Sequence, residues 1–172
     1  TDGPSGDGLY TIVAKDLLKF ADDERALAPV LSNGKLAAGI DDNDLVAVLS
    51  PTGIGNSEYP SSGHLCFGGK EVVSFTRVGN NLTIVRAQLG TTAQSHTTGD
   101  RVQLVLYYSG DDAADIIYDL FTSYANIDAS YIPLTDWQAE TAANLGSVIY
   151  ARAITEPTPV NKLVSELIEQ AA

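Results

Sequence analysis

Apolar residues recur at helical spacing near the two ends of this chain and at strand spacing through its middle. Near the start, Val13, Leu17, Phe20 and Ala21 share one helical face, with Leu27 extending it. Lys15, Asp16, Lys19, Asp22, Asp23 and Arg25 fall mostly elsewhere. This pattern predicts a helix over about Thr11–Ala26, in a helical stretch 10–28 that Pro29 limits. The run Leu45-Val46-Ala47-Val48-Leu49 is short and flanked by Asp44 and Ser50-Pro51, which favours a buried strand. From Ser50 to Gly63, glycine, proline, serine and asparagine recur, and an ordered loop is expected. Leu65–Phe67 is a further strand. Glu71–Val78 and Leu82–Gln88 flank Gly79-Asn80-Asn81, residues that tolerate positive φ, and read as a hairpin. Arg101–Tyr108 alternates with a second face only partly polar, so both of its faces are candidates for cover.

After residue 110 the helical period returns. Ile116, Ile117, Leu120, Phe121 and Tyr124 predict a helix over Asp112–Ala125, whose N-terminus gathers Asp111, Asp112 and Asp115. Thr135 to Gln138 has the spacing of a capping box and opens a short helix to about Leu145, ended by Gly146. Val148–Ile154 is a strand or an extended crossover. Thr158-Pro159 reads as an N-cap with proline in the first helical position. The stripe Val160, Leu163, Val164, Leu167, Ile168 and Ala171 follows it. The expected fold class is α+β: a small antiparallel sheet or partial barrel over about residues 45–108, packed with N-terminal and C-terminal helices.

Composition narrows the classes. The chain has 172 residues, 44% of them hydrophobic and 19% charged, values typical of globular proteins. One cysteine excludes an internal disulfide and a cysteine-based zinc site. There is no methionine, and residues 1–8 are rich in glycine and aspartate. These two features predict a linker or trimmed tail over 1–8, then one α+β domain over 9–172 excised from a longer chain. The sequence shows neither a secretory signal pattern nor an apolar run near the ~20 residues of a membrane span.

The net charge is −12, which argues against a whole-surface grip on nucleic acid or an anionic membrane. Its distribution is uneven. Residues 1–50 carry nine acids and four bases, net −5; residues 51–110 carry three and four, net +1; residues 111–172 carry ten and two, net −8. The strand signals lie in the near-neutral middle, where contacts with other proteins are expected.

Candidate chemistry is sparse. Gly68-Gly69-Lys70 lacks the first glycine and the hydroxyl residue of a phosphate loop, and Glu71 would repel a phosphate, so a turn is expected. Asp41-Asp42-Asn43-Asp44 lacks the glycine and the twelfth-position glutamate of a calcium loop and reads as a solvated turn. His64 and His96 belong to no metal-ligand pair, and Cys66, between Leu65 and Phe67, reads as a buried thiol. Glu58 and Glu71 are the least helix-like acids, with a plain surface reading. Tyr59, Tyr107, Tyr108, Tyr118, Tyr124 and Tyr131 are candidates for a sugar or protein contact surface. Catalytic, metal and cofactor residues are not assigned.

Four stretches are more specific. They are Leu49–Gly63; Leu82–Asp100, with Arg86-Ala87-Gln88-Leu89-Gly90-Thr91-Thr92-Ala93 followed by His96 and Gly99; Asp112–Phe121; and Ile154–Leu167, with Glu156-Pro157 before Val160. In this order they resemble the central tail-tip, or baseplate hub, proteins of long-tailed bacteriophages and prophages. The resemblance spans about residues 45–172. In the second stretch Arg86 is expected to pair with backbone carbonyls or an acid. Gly90, Thr91 and Thr92 would form a hydroxyl-bonded turn, and His96 and Gly99 would close the loop into the next strand. The resemblance implies a virion protein at the tail tip, made in the bacterial cytoplasm. It would link tail tube, tape-measure and fibre or spike, be homotrimeric in the assembled tail, and need no cofactor. A receptor- or glycan-binding module within such a hub is the alternative, and a cell-wall hydrolase a remoter one.

Overall fold

The computed structural model describes residues 26–146 and 148–171. The helix expected over 11–26 lies outside them but for its last residue. The described chain is α+β, a curled seven-stranded antiparallel sheet resembling half a barrel, with a second small sheet and four helices.

The strands are β1 (Leu27–Ala28), β2 (Lys35–Leu36), β3 (Val46–Ser50), β4 (Ser62–Phe67), β5 (Glu71–Val78), β6 (Asn81–Gln88), β7 (Val102–Asp111), β8 (Tyr150–Ile154) and β9 (Thr158–Pro159). The large sheet runs in the order β2-β3-β6-β5-β4-β7-β8. The hairpin expected around Gly79 forms between β5 and β6. Gly79 itself has φ 62, a conformation glycine adopts without steric cost.

One face of each strand is apolar, and curling brings those faces together. Leu49, Leu65, Phe67, Val73, Phe75, Leu82, Ile84 and Val102 are buried in this first core. Residues Ile54–Glu58 of the expected loop coil into a short helix, α1, whose Ile54 caps the same core. Tyr59 follows and sends its hydroxyl 2.6 Å to the Val102 carbonyl.

A second core lies on the helical side. It contains α2 (Ala113–Asp119), which continues as a wider turn through Leu120–Tyr124, and α4 (Val160–Ala171). Strand β7 joins the two cores, because Leu104 packs against the first and Leu106 and Tyr108 against the second. The stripe predicted for the last helix is the buried one: Val160, Leu163, Val164 and Leu167 are all inside, while Ile168 is exposed. Helix α3 (Leu134–Asn144) buries no residue and rests on α2 through the Phe121–Trp137 edge contact and the Gln138–Asp115 hydrogen bond.

Several expectations are corrected. Leu27 does not extend a helix: Leu27–Ala28 pairs with Thr158–Pro159 as β1–β9. Thr158-Pro159 is consequently strand rather than helix cap, and the Val160 N–H that opens α4 is satisfied by the Ala26 carbonyl. Thr135 caps nothing, since α3 starts two residues earlier than a Thr135 cap requires, at Leu134 after Pro133. Strand β3 is buried on one face only; Val46 and Val48 are exposed.

Candidate functional site

The Arg86 loop is organised by one carboxylate. Glu71 begins β5 directly across from Phe67 of β4, on the inward face of the sheet, and no part of it reaches solvent. Five donors surround it. Arg86 gives Nε to Oε1 at 2.9 Å and Nη2 to Oε2 at 2.7 Å. The Ala87 N–H reaches Oε1 at 3.0 Å and the Gln94 N–H reaches Oε2 at 3.2 Å. His96 Nε2 lies 3.0 Å from Oε2. Burial alone would raise this carboxyl, but the guanidinium, the two amides and the imidazole outweigh it and hold it at about 2. An ionised carboxylate only accepts, so Nε2 of His96 carries its hydrogen here.

Arg86 is equally saturated. Nη1 donates to the carbonyls of Asp41 and Asp44, and Nη2 also to that of Gln94. The expectation that Arg86 pairs with carbonyls or an acid holds in both forms. The acid is Glu71, whose surface reading is corrected: its place opposite Phe67 puts it inside.

The rest of the loop follows from the same anchor. Ala87 adopts φ 55, which aims its N–H at Glu71 where β5 and β6 slip register. Gly90 has φ 80, and Thr91 Oγ1 donates 2.8 Å to the Gln88 carbonyl and accepts from the Val72 N–H. Thr92 is exposed. His96 is buried edge-on against Phe67, and its backbone exchanges hydrogen bonds with Ile40. The Gly99 N–H bonds the Leu36 carbonyl, closing the loop onto β2. Asp100 accepts the backbone and side-chain hydrogens of Thr97, which hold its carboxyl below the ordinary range.

This arrangement fastens; it has no free valence for catalysis. A carboxylate with five donors and no solvent access cannot serve as base or nucleophile. Among the described residues no His, Cys, Asp or Glu cluster is able to hold a metal ion. Asp41, Asn43 and Asp44 bond one another as a turn. Gly68 and Gly69 turn the chain between β4 and β5. Glu58 holds Asn33 through both carboxyl oxygens. Burial raises the Cys66 thiol, which disfavours the reactive thiolate.

The candidate tyrosines do not form one exposed surface. Tyr59 is buried in the first core, and burial pushes its hydroxyl up to about 12. Tyr118 and Tyr124 pack half-buried against the second core. Tyr107 is exposed on the outer sheet face, with its ring edge-on to His64 at 5.4 Å, and Tyr131 is exposed beyond the turn that follows α2.

That outer face is the feature the sequence pattern did not single out. Register aligns Val46, Thr83, Thr76 and Ser62 across four strands. The next row is Val85, Ser74, His64 and Val105. Val48, Asn81 and Val78 form a third at one end. Every residue in these rows is uncharged apart from a titratable histidine, on a chain of net charge −12. Val46 is 64% exposed, Val85 59% and Val78 82%. Open valines alternate there with threonine, serine and asparagine, making an exposed face without charged side chains.

Compared with protein-family models, curated proteins and solved structures, the chain matches none.

Proposed function

We propose that this chain is a structural part of a phage tail-tip hub, working in virion assembly and host entry by joining neighbouring tail proteins rather than by catalysis. The observation that carries this reading is the uncharged outer face of β3, β6, β5, β4 and β7, with Val46, Val78 and Val85 open on it. Four of its five strands, β4 to β7, lie almost wholly in the near-neutral part of the sequence, and β3 stands at the end of the acidic first part. An uncharged, β-branched surface offers contact to another protein without charge desolvation. The Glu71 fastening supports the same reading, because the residues that carry the hub resemblance serve to hold a loop rigid. Tube, tape-measure and fibre or spike proteins are the partner class this reading implies, with a homotrimer in the assembled tail.

The glycan-module alternative rested on the loop Ser50–Gly63 and on the tyrosines; part of that loop is helix α1 capping the first core, and the tyrosines are dispersed over two cores and the surface. The test is a paired substitution, Val46→Glu with Val85→Glu, in phage that produce the protein. Both side chains point outward, so the fold should persist and incorporation into tails should fall at least tenfold. Normal incorporation of a folded double variant would overturn the proposal.

A further inference from the structure

Asparagine precedes glycine once in this chain, at Asn33-Gly34. Such a pair is the one most open to self-reaction, because no Cβ keeps the glycine nitrogen away from the preceding side-chain carbonyl carbon. The fold requires glycine here: a Cβ on Gly34 would lie 2.1 Å from the Tyr59 hydroxyl oxygen. Gly34 is buried, while Asn33 is exposed and open to water.

Glu58, the last residue of α1, and Tyr59 after it hold the two groups that would react. Glu58 accepts the Asn33 side-chain amide hydrogen on Oε1 at 3.0 Å and the Asn33 N–H on Oε2 at 2.8 Å. Tyr59 packs against Gly34 and donates its own hydrogen to the Val102 carbonyl. Burial pushes the Tyr59 hydroxyl up to about 12, so near neutral pH it stays protonated and cannot take the Gly34 proton. The segment is also fastened on either side. The Ser32 N–H donates to Gln103 Oε1 at 3.1 Å, and the Gly34 carbonyl accepts from the Val102 N–H at 2.9 Å. Held at these points, the Gly34 nitrogen and the Asn33 side chain are not free to reach an attacking geometry.

We infer that Asn33-Gly34 is a self-modification site, closed in the fold by Glu58 and Tyr59 and opened when the segment 32–34 lifts off α1. Once it is open, the Gly34 nitrogen gives its proton to solvent and bonds to Asn33 Cγ. The Cγ–Nδ2 bond breaks, and the amide nitrogen takes a proton from solvent and leaves as ammonia. Water then opens the ring, returning a hydrogen to the Gly34 nitrogen and leaving aspartate or isoaspartate at position 33. The new carboxylate faces Glu58, and like charges oppose reclosure. A transient local opening is thereby made permanent. This site is separate from the outer sheet face and does not depend on its role.

The test is incubation of the full chain at mildly alkaline pH, with mass spectrometry of the peptide that contains residue 33. In urea that unfolds the chain, conversion to aspartate and isoaspartate should run at least tenfold faster than in buffer. Glu58→Ala in buffer should convert at least tenfold faster than the unaltered folded chain, because two charge-assisted hydrogen bonds are gone. Should that variant fail to fold, Glu58→Gln, which keeps one acceptor oxygen, takes its place, with an intermediate rate expected. Asn33→Asp should lower the urea midpoint, and adding Glu58→Gln should restore part of the loss. Equal rates with and without urea, a Glu58 variant that converts no faster than the unaltered chain, or an Asn33→Asp chain as stable as the original would overturn the inference.

Discussion

At the scale of single residues, Glu71 governs the loop that runs from Arg86 to Asp100. It joins β5 to Arg86, Ala87, Gln94 and His96, and through Arg86 to the carbonyls of Asp41 and Asp44. Removing one partner of such a buried pair leaves the other charge unpaired, which costs about 3–5 kcal/mol. Glu71→Gln should therefore lower unfolding stability in urea by roughly that amount. The acid limb should report the same group. With the carboxyl at about 2 in the fold and an ordinary value of 4.5 unfolded, its stabilisation is complete above pH 4.5 and is lost as pH falls towards 2. Glu71→Gln should flatten the stability–pH curve in that window, and an unchanged acid limb would refute the role given to Glu71. Little of this was legible in the sequence. Arg86, Thr91 and His96 stood out by their spacing, but Glu71 resembles any surface acid until strand register sets it opposite Phe67.

At the scale of elements, periodicity gave the strands and the buried face of α4, because those depend on local alternation. It failed where an element's identity depends on a distant partner. Leu27–Ala28 and Thr158–Pro159 become strands only by finding each other, 130 and 132 residues apart in sequence for the two pairs. Close approaches are equally invisible locally. A Cβ at Gly34 would lie 2.1 Å from the Tyr59 hydroxyl, and one at Gly55 would lie 2.0 Å from the Gly79 carbonyl oxygen. Gly55→Ala forces backbone to move and should cost about 1–3 kcal/mol, measured as a fall in urea midpoint. Leu163 tests α4: it is buried among Ile116, Leu120 and Ile154, so Leu163→Asp should collapse the thermal transition of the helical core. An unchanged melting temperature would mean that this stripe does not hold the fold.

At the scale of the whole molecule, charge and shape divide the work. The acidic excess lies in the flanks, and the curled sheet turns an uncharged face outward. The charge partition did not show that strand register would gather valine, threonine and serine into uncharged rows on one face. Repulsion between chains of net charge −12 should keep free copies apart, and added salt, by screening it, should promote self-association through that face. Sedimentation in low and high salt would show this as a rise in mean mass, absent in Val46→Glu with Val85→Glu. The central claim, that the chain builds a tail tip, is tested most directly by electron microscopy of phage particles labelled with gold-tagged antibody raised against residues 26–171. The account predicts label confined to the distal end of the tail, in intact particles or in tips exposed by mild disruption. Particles that contain no such protein, or label on heads and along tail shafts, would contradict it.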